Sequence, residues 1–253
     1  MSNNNKLLAL LIDGDNAEAS LAAEMLTEIN KYGTGIIRRV YGDWTEPQMK
    51  SWKEVLHTYA LQPVQQFRYT TGKNSTDSAL IIDAMDIMYT TDVRGFCIAS
   101  SDSDYTRLAT RIRERNLFVM GMGRSNTPMA FVNACNVFVH TENLQTNNNA
   151  MSVSGQSNKS KTSTQVKKKI NNKSKKQLHK LFNTAFDLAV QDDGWAHLGA
   201  MGKFLHQIDP GFDPRTYGHS QLLKLMQAHN NMVSVKNMGP KNKPPQYYIR
   251  VKS

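Results

Sequence analysis

Cysteine is almost missing from this chain: two occur in 253 residues, Cys97 and Cys135, each inside an apolar, strand-like run. Neither belongs to a C-x-x-C pair, and none of the seven histidines stands beside them at zinc spacing. A disulfide framework and a structural zinc site are both excluded, which leaves two buried, reduced thiols. Long hydrophobic runs are scarce as well. The longest early stretch, Leu7 to Ile12, is far shorter than a membrane span, ends in Asp13, and lacks the cleavage site of a signal peptide. The expectation is a cytoplasmic chain with no membrane contact.

Acid is absent from one whole segment. The formal charge is +10, but residues 1–144 carry 14 basic and 16 acidic side chains, a net −2. Residues 145–177 hold eight lysines and no Asp or Glu, whereas residues 178–253 are +4. Positive charge is thus concentrated in a stretch of Asn, Ser, Thr, Gln and Lys that cannot bury enough apolar surface to offset the entropy of ordering it. Residues 145–176 read as a flexible linker. A solvated charge run is the ordinary reading, and its place between two folded units also suits holding phosphates without reading sequence.

What is present before the linker is alternation. Leu7–Ile12, Gly35–Tyr41, Leu61–Gln66, Gly95–Ala99 and Leu117–Gly121 read as buried strands, with Asn136–His140 a candidate sixth. Helical stretches lie near Ala17–Lys31, Pro47–His57, Ser75–Tyr89 and Ser103–Glu114. From Ser75 onward, Leu80, Ala84 and Met88 recur every four residues. Strand–helix alternation implies an α/β fold with a parallel sheet flanked by helices, because parallel neighbours need crossover connections. After the linker, Leu178, Leu181, Phe182, Ala185 and Ala189 form one helical stripe, Leu198, Met201, Leu205 and Ile208 a second, and Leu222, Leu225 and Met226 a third. Val233 and Val235, then Tyr247, Ile249 and Val251, alternate with polar residues, so residues 177–253 read as a small winged-helix domain. Its wing loop would carry Lys241 and Lys243.

Ligands of open parallel sheets bind beyond the carboxyl ends of the strands, where strand order reverses. The first strand runs into Ile12-Asp13-Gly14-Asp15-Asn16, and the fourth into Ser100-Ser101-Asp102-Ser103-Asp104-Tyr105. Asp77 lies in the first turn of the helix that feeds the fourth strand. If the first and fourth strands are neighbours, Asp13, Asp77, Asp102 and Asp104 converge. Each aspartate alone has an ordinary explanation as a helix cap, Asp77 and Asp104 above all. Together they repel unless cations neutralise them, and hard oxygen donors suit Mg2+ or Mn2+. Such a site can activate water against a phosphodiester.

The three strings IDGDN, Lys73-x3-Asp77-x5-Asp83 and SSDSDY resemble the motifs of the NYN family of PIN-like ribonucleases, which carry IDG-x-N and S-x-D-x-D-[FY] at these places. The resemblance covers roughly residues 6–144 of a domain read as residues 1–144, and implies a metal-dependent endoribonuclease. By it, Asp13, Asp77, Asp102 and Asp104 hold the metal, Asn16 and Ser101 support them, and Asp15 and Asp83 are outer candidates. Asp83 follows Asp77 by six residues, which turns it well off that helix face at ~100° per residue. Lys73 and Asn74 precede the helix bearing Asp77 and, with Arg38 and Arg39, are candidate RNA contacts; Arg68 and Arg124 also lie near strand or loop ends. Tyr41 and Trp44 are aromatic and able to stack bases, with core filling the alternative for Tyr41.

Residues 177–253 resemble the LOTUS (OST-HTH) domain through Asp193-Gly194-Trp195, Met201-Gly202-x-x-Leu205 and Phe212-Asp213-Pro214-Arg215-Thr216-Tyr217-Gly218. That resemblance implies a module for RNA or for a protein partner, with a basic rim of Arg215, Lys224, Lys241 and Lys243. Oligomeric state stays open, a dimer included. Two other classes stand beside the ribonuclease. One is an RNA-binding adaptor with a vestigial pocket. The other is a haloacid-dehalogenase-type phosphatase, which also ends a strand in D-x-D but continues it differently from Asn16-Ala17.

Overall fold

A computed structural model of the chain describes residues 6–67, 75–145, 172–240 and 244–252. The chain divides into two compact units, residues 1–149 and 150–253. The sequence-predicted contacts Arg68, Lys73, Asn74, Lys241 and Lys243 lie outside the described residues, as do residues 146–171 of the lysine-rich stretch.

The first unit alternates strands and helices: β1 (Leu7–Asp13), α1 (Ala22–Ile29), β2 (Thr34–Gly42), α2 (Lys50–Tyr59), β3 (Gln62–Gln65), α3 (Ser75–Thr90), β4 (Gly95–Ala99), α4 (Thr106–Glu114), β5 (Phe118–Gly123), α5 (Met129–Ala134), β6 (Val137–His140) and α6 (Thr141–Gln145). The six strands form one parallel sheet in the order β3-β2-β1-β4-β5-β6. The expected strand at the sixth position is therefore present. Central strands β1, up to its terminal Asp13, and β4 are apolar because both faces of the sheet are covered.

Side chains of a strand alternate between faces, and β1 shows how this sorts the core. Ala9 and Leu11 join α3, α4 and α5 through Leu80, Ala84, Leu108, Ile112 and Phe131. Leu8, Leu10 and Ile12 join α1 and α2 through Ala22, Met25, Ile29 and Trp52. Asp13 continues the odd-numbered series, so parity sends it to the face of α3 and α4. The same sorting separates the thiols, with Cys97 in the α1–α2 core and Cys135 in the α3–α5 core. Burial raises both, Cys135 to about 12, so both are inert thiols.

Gly14 has a tight fit at the end of β1. A Cβ there would meet Met49 Cε at 2.7 Å and the Tyr41 carbonyl oxygen at 2.8 Å. Its own carbonyl accepts the buried Trp52 Nε1–H at 3.1 Å, which ties α2 beneath the loop that carries Asp15 and Asn16.

The second unit holds α7 (Asn172–Ala189), β7 (Ala196–His197), α8 (Leu198–Ile208), α9 (Leu222–Ala228), β8 (Val233–Asn237) and β9 (Tyr247–Val251). Its three strands run antiparallel in the order β7-β9-β8. Leu178, Phe182, Met201, Leu205, Phe212, Leu225, Val233 and Ile249 form its core, which is the three-helix-plus-hairpin plan of a winged helix. Helix α7 begins at Asn172, ahead of the apolar stripe that opens at Leu178. No helix among the described residues is long and apolar enough to cross a membrane.

Candidate metal centre

Strand order reverses between β1 and β4, and the acidic loops leave the sheet at that point. The register pairs Ile12 with Ala99, so Asp13 and Ser100 stand side by side one step further along. Ser100 Oγ donates to Asp13 Oδ2 at 3.0 Å and accepts from the Asp102 N–H at 3.1 Å. Asn16 Oδ1 accepts from the Ser101 N–H at 3.0 Å, a second tie between the loops after β1 and β4. Ser101 Oγ in turn accepts from the Arg124 N–H at 2.8 Å, at the end of β5.

One carboxylate oxygen from each of Asp77, Asp102 and Asp104 lies within 4.8 Å of the others. Asp102 is also a helix cap, because its Oδ1 accepts from the Asp104 N–H at 2.9 Å where the turn Ser103–Tyr105 opens α4. Asp13 lies deeper, 3% exposed, beside this trio. The link is Tyr105: its hydroxyl reaches Asp77 Oδ1 at 2.7 Å and Asp13 Oδ2 at 3.3 Å. Tyr105 is fully buried in the α3–α5 core, and the sequence motif carried it without a role.

Charge crowding is visible in the titration of these groups. Burial pushes the Asp13 carboxyl up from 3.8 to about 6, against the Ser100 hydrogen bond, and the charges of Asp77 and Asp15 add to the rise. Asp77 is raised too, by burial first, with Asp102, Asp104 and Asp15 contributing and the Tyr105 hydrogen bond opposing. Burial and the two carboxylates hold Tyr105 well above the ordinary phenol range, so it remains a donor.

The remaining sequence candidates occupy other places. Asp15 is held at the rim, accepting from Thr76 Oγ1 at 2.9 Å and Gln48 Nε2 at 3.2 Å; sequence reasoning missed both donors. Asp83 stands apart from the trio, in contact with the Arg39 guanidinium and the Tyr41 hydroxyl. Tyr41 fills the core and is fully buried. Arg38 donates from Nε to the Gly35 carbonyl at 2.8 Å and from Nη1 to the Tyr59 carbonyl at 3.3 Å. Trp44 Nε1 donates to the Val64 carbonyl at 3.0 Å. Arg124 pairs with Glu18 at 3.1 Å on the rim beside Ser101. In the second unit, Asp213 caps the turn Pro214–Tyr217 and holds the Arg215 guanidinium, with Nη2 to Oδ2 at 2.6 Å. Lys224 Nζ reaches Ser220 Oγ at 3.1 Å.

The family model of the NYN domain matches residues 7–144, more than half of the chain. The chain belongs to the NYN-domain family. Its NYN domain is followed by an OST-HTH/LOTUS domain matched over residues 169–245. NYN domains form a PIN-like nuclease family, so the fold is nuclease-like, and PIN-like nucleases generally use divalent metals. No curated protein matches the chain. Among solved structures, a protein of unknown function from Vibrio parahaemolyticus is 17% identical over 55% of this chain and 95% of its own, with a TM-score of 0.47. An uncharacterized protein from Nitrosomonas europaea is 23% identical over 40% of this chain and 84% of its own, with a TM-score of 0.28.

The donor chemistry of the NYN centre fits a hard divalent cation. The trio offers oxygen alone, and such a cation would offset both the burial that chiefly raises Asp77 and the smaller repulsion from Asp102, Asp104 and Asp15.

Proposed function

We propose that this protein is an endoribonuclease that cleaves RNA phosphodiester bonds with Mg2+ or Mn2+. The observation that carries this reading is the meeting of Asp77, Asp102 and Asp104 within 4.8 Å at the carboxyl ends of the strands, with buried Asp13 joined to them through Tyr105. Asp77, Asp102 and Asp104 would hold the ion, with Asp13 beneath. A divalent ion held there would supply water activation at neutral pH and charge neutralisation for phosphodiester cleavage. The residues of the chain do the positioning. Tyr105 and Ser100 fix the carboxylates of Asp77 and Asp13 by donating to them, and Asn16 locks the loop after β1 to the loop after β4. The OST-HTH/LOTUS domain and the lysine-rich stretch before it would capture RNA, or a protein partner, and keep it near the centre.

The phosphatase reading requires Asp13 as an open covalent nucleophile. Its burial, with Ser100 and Tyr105 on Oδ2 and the Asp15 N–H on Oδ1, speaks against that role. The test is cleavage of single-stranded RNA in manganese by the wild type, Asp13→Asn and Asp102→Asn. Activity confined to the wild type is expected. RNA bound but uncut by the wild type would replace the nuclease with an adaptor, and turnover of a simple phosphate monoester without RNA cleavage would favour the phosphatase.

A further inference from the structure

The acidic centre occupies one end of the sheet, and the opposite end is basic. Four adjacent strands, β1, β4, β5 and β6, begin there; Lys6, Arg94 and Asn136 directly precede β1, β4 and β6, and Arg115 stands three residues before the start of β5. With Arg113 and Phe118 these side chains line an open groove of about 720 Å3 whose lining contains no carboxylate. No ion pair engages Lys6, Arg94, Arg113 or Arg115 among the described residues. Glu114, the acid beside Arg115 in sequence, is taken up by Arg111 at 3.2 Å. An uncompensated cluster of this kind is electrostatically unfavourable until an anion fills it.

The groove is built on a rigid frame. The Arg94 N–H donates to the Leu7 carbonyl at 2.7 Å, and the Arg94 carbonyl accepts from Phe118 N–H at 3.1 Å. Gly95 lets β4 lie against β5, since a Cβ there would meet the Phe118 carbonyl oxygen at 2.6 Å. Asn116 takes φ 63° to turn the chain out of α4 into β5, which brings Arg115 to the rim. Arg113 Nη1 donates to the Asn133 and Ala134 carbonyls at 3.1 and 3.3 Å, and Lys6 Nζ stands 5.2 Å from the centre of the Phe118 ring. Exposed Arg94 faces solvent, and the exposed Arg115 guanidinium lies 5.2 Å from the centre of the Tyr89 ring, a contact that orients it without neutralising its charge.

We propose that this groove binds the phosphodiester backbone of RNA at a site remote from the acidic centre. The inference rests on RNA being the ligand of this protein, and adds where the NYN domain holds it. The strand β1 separates the two ends by seven residues, roughly 20 Å at 3.3 Å per residue. A polyanion is repelled by the carboxylates and attracted by the arginines, so a strand reaching both ends is held at the basic groove while the scissile bond enters the metal centre. Oligonucleotides too short to span that distance gain nothing from the groove.

The experiment compares the full-length wild type with Arg94→Glu/Arg115→Glu and Arg94→Lys/Arg115→Lys, with near-identical melting as the check of folding. Binding of a long single-stranded RNA is measured over a salt series with Asp102→Asn added to each protein, and manganese-dependent cleavage is measured on long and very short RNAs. Loss of two phosphate contacts flattens the slope of log affinity against log salt by about 1.4, and weakens low-salt affinity on the order of tenfold in the Glu variant. The Lys variant retains the wild-type slope. KM for the long RNA rises in the Glu variant while kcat and short-RNA cleavage stay unchanged. An unaltered salt slope in the folded Glu variant overturns the groove, as does equal loss in the Lys variant. The same holds if inorganic phosphate or a mononucleotide competes as well as RNA does, which would make it a small-anion site. Wild type that binds with the expected slopes but cuts nothing would remove the nuclease reading and leave the groove standing.

Discussion

Asp13→Asn should stabilise the metal-free protein at neutral pH and destabilise it in acid. In the folded state the Asp13 carboxyl titrates at about 6 instead of 3.8, almost wholly through burial and the neighbouring Asp77 and Asp15. The folded state therefore binds this proton more tightly than the unfolded chain. Stability linked to Asp13 is fully present below pH 3.8 and is lost as pH rises through about 6. A rise of about two units corresponds to about 3 kcal/mol above that window. Asparagine is neutral at every pH. Its Oδ1 can keep the Asp15 N–H, while its amide donates to hydroxyls of Ser100 and Tyr105 that must then turn; that rearrangement costs about 1 kcal/mol. The net gain at pH 7.5 in chelator is about 2 kcal/mol, or roughly 6 °C in the transition of the first unit. At pH 4 most of the penalty on the Asp13 carboxylate is gone, the hydrogen-bond loss outweighs the remainder by about 0.4 kcal/mol, and the variant melts about 1 °C below wild type. Calorimetry supplies the melting temperatures, with fluorescence of buried Trp52 following the same unit. Manganese at 100 times its Kd should add about 2.7 kcal/mol to wild type and less to the variant. A variant less stable than wild type by equal amounts at pH 4 and pH 7.5 would refute the account of a buried, crowded carboxylate.

Tyr105→Phe removes the hydroxyl shared by Asp77 and Asp13 and should weaken manganese affinity 10- to 100-fold, read by calorimetric titration, with ~1 kcal/mol lost in stability. Asp83→Asn breaks the contact that joins α3 to Arg39 and Tyr41 of β2, and urea unfolding should show a loss of about 2 kcal/mol in the first unit. Asp213→Ala removes both a helix cap and the partner of a mostly buried guanidinium, so the second unit should lose about 2 kcal/mol while the transition reported by Trp52 is unmoved.

The first unit was legible in its sequence because the information is periodic and local. Short apolar runs alternating with helical stripes admit little besides a parallel sheet, and β1 to β6 overlap the segments read as strands; β3, read as buried, is a mostly exposed edge strand, and no stripe marks α5. The convergence of the acids follows from one topological fact, the adjacency of β1 and β4, which brings Asp13 beside Ser100 and the loop bearing Asp102. What the sequence hid is the chemistry supplied by partners distant along the chain. Gln48 and Thr76 stand 33 and 61 residues from Asp15, and nothing in their local pattern marks them as its donors. Arg39 could be read as an exposed phosphate contact until Asp83, 44 residues away, was seen to engage it. Arg215 reads as part of a basic rim, whereas Asp213, two residues before it, holds its mostly buried guanidinium.

Tyr105 marks the boundary between the two kinds of information. The motif contained it, and an aromatic residue opening an amphipathic helix invites the reading of plain core. It is core: the ring packs in the α3–α5 cluster. A phenol in that position, however, must satisfy its hydroxyl, and it does so on Asp13 and Asp77. A phenylalanine would fill the same volume and leave two crowded carboxylates without a shared donor. The hydrophobic core and the acidic centre are therefore not separate designs in this domain, since one side chain anchors the second upon the first.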